Sequence, residues 1–316
     1  MDPAYKEKLK KQHYRFIGEH SAVKTCIWTK RALRNEGVCY KSKFYGIQSH
    51  RCIQMTPSLN FCDMDCLYCW RERNNSSFDI VDVPKELLDN AIKAQRKLLN
   101  GNWGDARTDK KKIEESKKPL HVAISLNGEP LYYPKLSEFI VEIKKKRMTS
   151  FLVTNGQLPS VLKQIELPTQ LYISLDAPNP ELQKKITRSI HADSWERLMK
   201  SLDILASLKG KTRTALRLTL IKGVNDSGPE KYAELFKRAN PDFVEVKSYM
   251  FVGASRKRLK IENMPYHEDV RAFAQQIEKY CDYKIVEEQK ISRVVLMTNK
   301  NSAERFIDFK DLKEFP

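Results

Sequence analysis

The sequence predicts an α/β protein built on a partial, TIM-like barrel of six β/α units. Short apolar runs alternate along the chain with longer amphipathic stretches, which is the pattern of strands followed by helices. This alternation is typical of a parallel sheet, and six units are too few for the closed eightfold barrel. At 316 residues and 41% hydrophobic content the chain is long enough for one such core.

Each element has its own signal. The predicted strands are 48–54, 120–125, 150–154, 170–175, 215–220 and 243–247, with 283–286 and 293–297 after a further helix. Pro84 and Pro229 are typical of a first helical turn, and Asp193 with Glu196 predicts a capping box. The polar, lysine-rich stretch 102–118 lacks periodicity and predicts a surface insertion. We therefore divide the chain into a basic N-terminal extension (1–46), a barrel (47–250) and a C-terminal extension (251–316).

Charge and composition restrict the class of partner. Lys and Arg outnumber Asp and Glu by 57 to 40, and the formal charge of +17 favours a polyanion such as nucleic acid over an anionic membrane. No apolar run approaches the roughly 20 residues of a membrane span, and the N-terminus lacks a signal peptide. We expect a cytoplasmic protein without a membrane partner. In that compartment seven cysteines indicate metal or redox chemistry rather than disulfides.

Three of these cysteines form the run Cys62-x3-Cys66-x2-Cys69. Three thiolates on a four-iron cluster leave one iron without a protein ligand, and that iron is open for chemistry. A structural zinc site needs four ligands, and no Cys or His follows at zinc-finger spacing. The run therefore favours an iron-sulfur cluster over zinc, and both over inert buried thiols.

Small and polar residues follow the predicted strands at the end where barrel enzymes place their active sites. Taken singly, each cluster is an ordinary turn, because Gly, Asn and Asp all favour turns. Together, and in register with the cysteine run, they predict one site. Its members are Asn127, Gly128, Glu129, Thr154, Asn155, Ser174, Asp176, Val224 and Asn225.

The cysteine spacing, with the aromatic Tyr68 before the last cysteine, resembles the radical S-adenosylmethionine (radical SAM) superfamily. The resemblance implies a barrel of the radical SAM type, a [4Fe-4S] cluster on Cys62, Cys66 and Cys69, and SAM beside it. Asn127-Gly128-Glu129 resembles the GGE-type motif that holds the SAM amino group, although Asn127 replaces its first glycine. By the same resemblance Ser174 and Asp176 contact the ribose and carboxylate end, Thr154 and Asn155 lie between, and Val224 and Asn225 border the adenine.

Three more cysteines, Cys26, Cys39 and Cys52, stand thirteen positions apart upstream. Free cysteines are often small buried hydrophobes, and the spacing is not a local chelate. With the motifs SLNGEP, TNG, SLDAPN and GVND, however, the chain resembles the tRNA 4-demethylwyosine synthases of wyosine biosynthesis. The resemblance implies a second [4Fe-4S] cluster on the upstream triad, partly within the N-terminal extension. It also implies carbon-carbon lyase-type conversion of N1-methylguanosine, at position 37 of phenylalanine tRNA, with pyruvate as co-substrate.

Other expectations concern pyruvate, RNA and electrons. Lys41 and Lys43 are candidates to form an imine with pyruvate, the alternative being solvated, phosphate-contacting side chains. The basic run 256–258 is the candidate tRNA patch. The aromatic residues that could stack on RNA bases are Trp28, Tyr40, Phe44, Tyr45, Tyr249 and Phe251, although Phe251 is better explained by core packing.

Eukaryotic relatives carry a flavodoxin-like domain for which the N-terminal arm is too short. We expect a monomer reduced by an external donor such as flavodoxin or ferredoxin. The alternatives are a glycyl-radical activase and a non-catalytic zinc- or cluster-bearing RNA-binding protein.

Overall fold

A computed structural model of the chain describes residues 3–59, 61–72 and 80–309, so the ends of both predicted extensions and two pieces of the predicted barrel lie outside it. Within these residues one sheet runs through the molecule. Its strands are β1 (Arg15–Phe16), β2 (Ala22–Val23), β3 (Cys52–Thr56), β4 (His121–Ile124), β5 (Thr149–Thr154), β6 (Gln170–Ser174), β7 (Arg213–Leu220), β8 (Phe243–Ser248), β9 (Lys284–Gln289) and β10 (Val294–Thr298).

The middle of the sheet is the predicted partial barrel. Strands β3 to β8 pair in chain order, and every pair is parallel. Antiparallel strands extend both edges: β2 and β1 continue the sheet beyond β3, and β10 and β9 continue it beyond β8. Both predicted extensions therefore add strands to the same sheet as the barrel.

Helices pack on both faces of the parallel strands, and most of them lie on the outer face. They are α1 (Pro3–Lys11), α2 (Ile27–Leu33), α3 (Tyr40–Tyr45), α4 (Pro84–Leu99), α5 (Lys110–Glu115), α6 (Leu136–Lys145), α7 (Pro159–Leu162), α8 (Pro180–Thr187), α9 (Ser194–Ser207), α10 (Pro229–Ala239) and α11 (His267–Ile277). Their apolar stripes, such as Leu88 on α4 and Phe236 on α10, are fully buried against the strands. Burial of each such side chain contributes roughly 1.5–3 kcal/mol. No helix among the described residues is long and apolar enough to cross a membrane.

Three local predictions were wrong. The first barrel strand begins at Cys52, because residues 49–51 form a 3-10 turn. The insertion 102–118 contains α5, which Asp109 caps by accepting hydrogen bonds from the next turn and which buries Ile113. One apolar residue in so short a helix produces no periodicity. Asp193 does not cap α9; it pairs with Arg197 at 2.8 Å. Pro84 and Pro229 do begin α4 and α10.

Candidate functional site

A cavity of about 290 Å³ opens at the carboxyl ends of strands β3 to β7. Parallel strands bring their carboxyl ends to one edge, so residues far apart in sequence meet there. The predicted site residues that line the cavity are Cys62, Cys66, Tyr68, Cys69, Asn127, Gly128, Glu129, Thr154, Asn155 and Ser174. The structure thus brings together the cysteine run and most of the strand-exit residues.

The cysteine loop, residues 61–70, is attached to the helix that follows β6. The backbone N–H groups of Asp65 and Leu67 donate to the last carbonyls of α8, at 2.9 and 2.8 Å. Those carbonyls have no partner within their own helix, so the loop satisfies them. The loop therefore has a fixed position relative to β6 although it contains no regular secondary structure.

The loop thiols lie in a desolvated environment. Burial raises the pKa of Cys62 and Cys66, and neighbouring acidic groups and thiolates raise both further. A bound metal reverses this effect, because a coordinating thiol is deprotonated. Within the described ranges no three Cys, His, Asp or Glu side chains form a site for a single metal ion. Cys62, Cys66 and Cys69 all line the cavity, and three cysteine thiolates are a donor set that fits a [4Fe-4S] cluster with one iron left for another ligand.

The turn at Gly128 packs directly against this loop. Gly128 has φ +73°, and a Cβ there would overlap the carbonyl oxygen of Ser58. Glu129 N–H donates to the Phe61 carbonyl at 2.5 Å, and the Ser58 hydroxyl donates to the Glu129 carbonyl at 2.8 Å. Glycine is required here for both its left-handed conformation and its small size.

The side chain of Glu129 accepts hydrogen bonds from polar groups at the end of the neighbouring strand β5. Its Oε1 accepts a hydrogen bond from Thr154 Oγ1 at 2.7 Å, and its Oε2 accepts one from Asn155 N–H at 2.8 Å. Burial, followed by the charge of Asp63, raises the pKa of Glu129 to about 8. A buried carboxylate of this kind gains most from a cationic ligand, because an ammonium forms a charge-assisted hydrogen bond with it.

Asp63 was missed in the sequence although it lies inside the cysteine run. Its buried carboxylate accepts hydrogen bonds from Asn155 Nδ2 at 2.6 Å and Tyr132 OH at 3.3 Å, and it lies 3.1 Å from His191 Nε2. Asn155 Nδ2 also lies 3.9 Å from Cys62 Sγ. Asp63 thus orients the side chain that reaches the first thiol. The sequence feature that could have indicated a role for Asp63 is its position as an acidic residue between two cysteines.

Three predicted SAM contacts lie behind the cavity wall. Asp176 accepts hydrogen bonds from Tyr68 OH at 2.5 Å and from Thr219 N–H at 2.8 Å. The amide of Asn225 donates to the Asp176 carbonyl at 2.8 Å, and Val224 packs in the same apolar cluster as Tyr68. These residues position Tyr68 and the end of β7, and the structure does not bring them to the cavity surface.

The upstream cysteines converge although they lie on separate elements. Cys26 precedes α2, Cys39 precedes α3 and Cys52 begins β3. Burial raises the pKa of Cys39 to about 12, and the next contribution comes from Cys26. The pKa of Cys52 is raised by burial and then by Cys39 and Cys26. The three thiols therefore lie within electrostatic range of one another.

The two candidate lysines are in different environments. Lys41 is 7% exposed, and its ammonium lies 4.5 and 4.3 Å from the ring centroids of Phe151 and Tyr172. Burial lowers its pKa to about 8, and the Cys39 and Cys52 thiols are among its charged neighbours. Lys43 lies outside, where its ammonium pairs with Glu287 at 2.9 Å. The structure therefore places only Lys41 beside the upstream triad.

A buried ion pair inside the barrel was also missed. Arg217 donates from Nε and Nη2 to Glu245 Oε2 at 3.0 and 2.9 Å, and Tyr45 OH donates to Glu245 Oε1 at 2.8 Å. Arg217 also lines the cavity. Its guanidinium is among the largest charged influences on Lys41, so it links the cavity to the environment of Lys41. The sequence feature that could have indicated this ion pair is the presence of charged residues within the otherwise apolar strands β7 and β8.

The three residues of the predicted basic patch, 256–258, lie in two different environments. Arg258 does not face solvent; it donates from Nε to the Leu67 carbonyl at 3.2 Å and from Nη2 to the Cys69 carbonyl. It therefore fixes the cysteine loop, whereas Arg256 and Lys257 are exposed. Among the predicted stacking residues, Tyr40, Phe44, Tyr45 and Tyr249 are buried, so that prediction was wrong for these four. An RNA base can stack only on an aromatic ring whose face is accessible.

Comparison with known proteins identifies the family. Residues 56–236 match the family model described as radical SAM superfamily, and residues 238–299 match that described as wyosine base formation. The S-adenosyl-L-methionine-dependent tRNA 4-demethylwyosine synthase of Pyrococcus horikoshii is 47% identical over 92% of this chain and 87% of its own length. The synthase of Methanocaldococcus jannaschii is 41% identical over 93% of this chain and 95% of its own.

Solved structures agree with the sequence relatives. The structure described as TYW1 with a lysine-pyruvate adduct bound has a TM-score of 0.88 at 38% identity, covering 98% of this chain and 99% of that one. The crystal structure of archaeal TYW1 has a TM-score of 0.82 at 35% identity, covering 97% and 100%. These relatives confirm the radical SAM fold and imply a [4Fe-4S] cluster, SAM and a tRNA substrate. The chain belongs to the S-adenosyl-L-methionine-dependent tRNA 4-demethylwyosine synthases of the radical SAM superfamily.

Proposed function

We propose that this chain converts N1-methylguanosine at position 37 of phenylalanine tRNA into 4-demethylwyosine, with pyruvate as co-substrate, in a carbon-carbon lyase-type reaction. The observation that supports this most is the position of Lys41, a buried lysine with a lowered pKa beside the thiols of Cys39 and Cys52. A lysine of this kind is suited to imine formation with a keto acid, because its amine is readily deprotonated. The lysine-pyruvate adduct of the relative supports the same chemistry.

The cavity at the strand ends is the proposed SAM site. Cys62, Cys66 and Cys69 hold the first cluster, Glu129 accepts the SAM ammonium, and Ser174 contacts the ribose. Thr154, Asn155, Asn127 and Gly128 hold Glu129 and its turn, while Asp176, Val224 and Asn225 act through Tyr68 and β7. When bound, the cluster and SAM supply a 5'-deoxyadenosyl radical, and the protein's task is to place it and to exclude competing reactions.

Lys41 would act on the second substrate. Its neutral amine adds to the pyruvate carbonyl and water leaves, giving an imine that holds the two-carbon unit. The carbon radical formed on the N1-methyl group of the base bonds to the imine carbon. The bond from that carbon to the carboxylate then breaks, and the carboxylate carbon leaves with the unpaired electron. The exocyclic amine of guanine closes the ring and releases the Lys41 amine.

The upstream triad completes the proposal. Cys26, Cys39 and Cys52 would hold the second [4Fe-4S] cluster, whose open iron suits the carboxylate and carbonyl oxygens of pyruvate. We infer an external electron donor such as flavodoxin or ferredoxin, a monomer, and a cytoplasmic location. The division into segments 1–46, 47–250 and 251–316 is part of the same proposal.

The test is an anaerobic assay with methylated tRNA, pyruvate, SAM and a reductant, read by nucleoside mass spectrometry. Carbon-labelled pyruvate should transfer its label to the modified base, and tRNA lacking the N1-methyl group should give no product. Absence of label from the base would exclude pyruvate as the carbon source. Iron and sulfide analysis should give about eight of each per chain for two clusters.

A further inference from the structure

A second cavity, of about 590 Å³, lies beside the SAM cavity. Its walls are α1 with the residues that follow it, Lys24 after β2, and the turn at 252–257. Trp70, Arg71 and Glu72 line both cavities, so these three residues form part of the wall between them. A ligand in the second cavity would therefore lie next to whatever occupies the first.

Trp70 presents an aromatic ring at this wall. It directly follows Cys69 and is 39% exposed. Its carbonyl accepts a hydrogen bond from Ala254 N–H at 3.0 Å. Gly253 packs so closely on that carbonyl that a Cβ would overlap it, and its φ is +60°. The backbone of Trp70 is thus fixed. The Arg71 guanidinium lies over the ring, 2.9 Å from its centroid, and the exposed part of the ring is left for a ligand.

Two cations accompany the ring. The Lys24 ammonium lies 5.3 Å from the Trp70 centroid and 4.9 Å from that of Tyr14. Arg71 is 9% exposed, donates to Tyr14 OH and the Leu126 carbonyl, and leaves its Nε without a partner. Among the described residues neither cation pairs with a carboxylate; Glu72, on the same wall, pairs with Lys8 and Lys257. Buried charge without a counter-charge is costly, so the cavity is suited to an anionic ligand.

We propose that the second cavity holds one tRNA nucleotide adjacent to the reacting base, with its base stacked on Trp70 and its phosphate near Lys24 and Arg71. A base that reacts inside a cavity must leave its stack, and its neighbours then lose their own stacking partner. An aromatic ring with nearby cations is how proteins support such single-stranded nucleotides. This inference rests on the proposed tRNA substrate and adds where the neighbouring nucleotide binds.

The first test is tRNA binding to Trp70 variants. Trp70→Ala should raise the Kd for N1-methylguanosine-containing tRNA about 5- to 100-fold, whereas Trp70→Phe should retain most of the affinity. Trp103→Ala is the matched control, because Trp103 is 38% exposed and also has a lysine over its ring, at 4.6 Å, but lies elsewhere. Iron content is measured for each variant, since Trp70 adjoins a cluster ligand.

The second test avoids the cysteine loop. Lys24→Ala should reduce by about one the slope of log affinity against log salt concentration. Lys93→Ala, an exposed lysine on α4, is the control and should leave the slope unchanged. If Trp70→Ala does not retain iron, the salt dependence of tRNA binding by Lys24→Ala decides whether the second cavity binds the nucleotide.

The outcomes are distinct. Wild-type affinity in both Trp70→Ala with full iron content and Lys24→Ala would overturn the inference while leaving the proposed function intact. Slower reduction by flavodoxin, with unchanged tRNA affinity, would show that the cavity binds the electron donor instead, and would also overturn it. If the wild-type chain neither binds nor modifies the methylated tRNA, the proposed function itself fails.

Discussion

The two cysteine triads are built in different ways. Cys62, Cys66 and Cys69 lie on one loop that lines the cavity, and that loop is fixed from outside by α8 and Arg258. Among the upstream cysteines, Cys26 and Cys39 directly precede α2 and α3 and Cys52 begins β3, so their convergence depends on how these three elements pack together. A local loop can specify a metal site by spacing alone, whereas a dispersed site exists only once the chain has folded.

This difference suggests a division of labour. The loop triad shares its cavity with the residues that we assign to SAM, and the upstream triad shares its surroundings with Lys41. Arg217 lines the cavity of the loop triad and acts electrostatically on Lys41. We therefore expect variants of the two triads to separate radical generation from the reaction with pyruvate.

The largest effect is expected from single cysteine changes. Cys66→Ala should abolish both SAM cleavage and base modification, because the cluster that reduces SAM loses a ligand. Cys39→Ala should abolish base modification yet retain reductive formation of 5'-deoxyadenosine. Chromatography of 5'-deoxyadenosine beside nucleoside mass spectrometry separates the two results. Loss of SAM cleavage in both variants, with iron retained on the intact triad, would contradict a division of labour.

The next effect concerns the two lysines. Lys41→Ala should reduce 4-demethylwyosine formation to background while SAM cleavage continues, because the amine proposed to form the imine with pyruvate is removed. Lys43→Ala removes a surface ion pair, which is worth about 0–1 kcal/mol, and an exposed hydrogen bond to the Glu288 carbonyl, and should leave product formation unchanged. Borohydride trapping of labelled pyruvate on the wild type, followed by peptide mapping, provides an independent readout. A trapped adduct on a lysine other than Lys41 would sink the assignment.

The sequence predicted the loop triad better than the dispersed one for a physical reason. The spacing of Cys62, Cys66 and Cys69 is a local property, and the strand-exit residues follow from the rule that parallel strands end at one edge. The environment of Lys41 was not predictable, because it depends on Phe151 and Tyr172 from two distant strands. Sequence therefore left Lys41 and Lys43 equivalent, and only the fold distinguishes them.

The same limit explains the errors in the charged surface. A run of basic residues predicts exposure, but the 3-10 turn at 253–257 directs Arg258 back towards the cysteine loop. Likewise, the aromatic residues around Cys39 suggested stacking groups, and the packing of α3 buries them. In both cases the side-chain direction was decided by tertiary contacts that no local pattern contains.

A smaller effect is expected at the turn that joins the SAM residues to the cysteine loop. Gly128→Ala should lower stability by roughly 1–3 kcal/mol, because it combines a left-handed conformation with an overlap on the Ser58 carbonyl. Gly101→Ala is the control, since nothing lies within 4 Å of its added Cβ. Denaturant unfolding of both variants and the KM for SAM are the measurements. Equal stability of the two variants would show that the turn can shift without cost.

The smallest stability effect is expected for Arg256, in contrast to its neighbour Arg258 in the same basic run. Arg258→Ala removes the donor to the Leu67 and Cys69 carbonyls, so stability should fall by about 1–3 kcal/mol and iron should be lost faster to a chelator. Arg256→Ala changes an exposed side chain that lies 5.2 Å from the Phe251 ring, so stability should change by less than about 0.5 kcal/mol. It should instead weaken tRNA binding and reduce its salt slope by about one.

The order of the two chelation rates is decisive. Because Arg258 holds the loop that carries Cys69, its removal should accelerate iron loss from the loop triad and leave the upstream triad unaffected. Spectra of a Cys39→Ala background, in which the loop cluster alone remains, allow that rate to be followed without overlap. If Arg258→Ala and Arg256→Ala release iron at the same rate there, the contacts of the loop with α8, the Gly128 turn and Ala254 are sufficient to hold it. In that case the local triad needs less support from the rest of the fold than its contacts indicate.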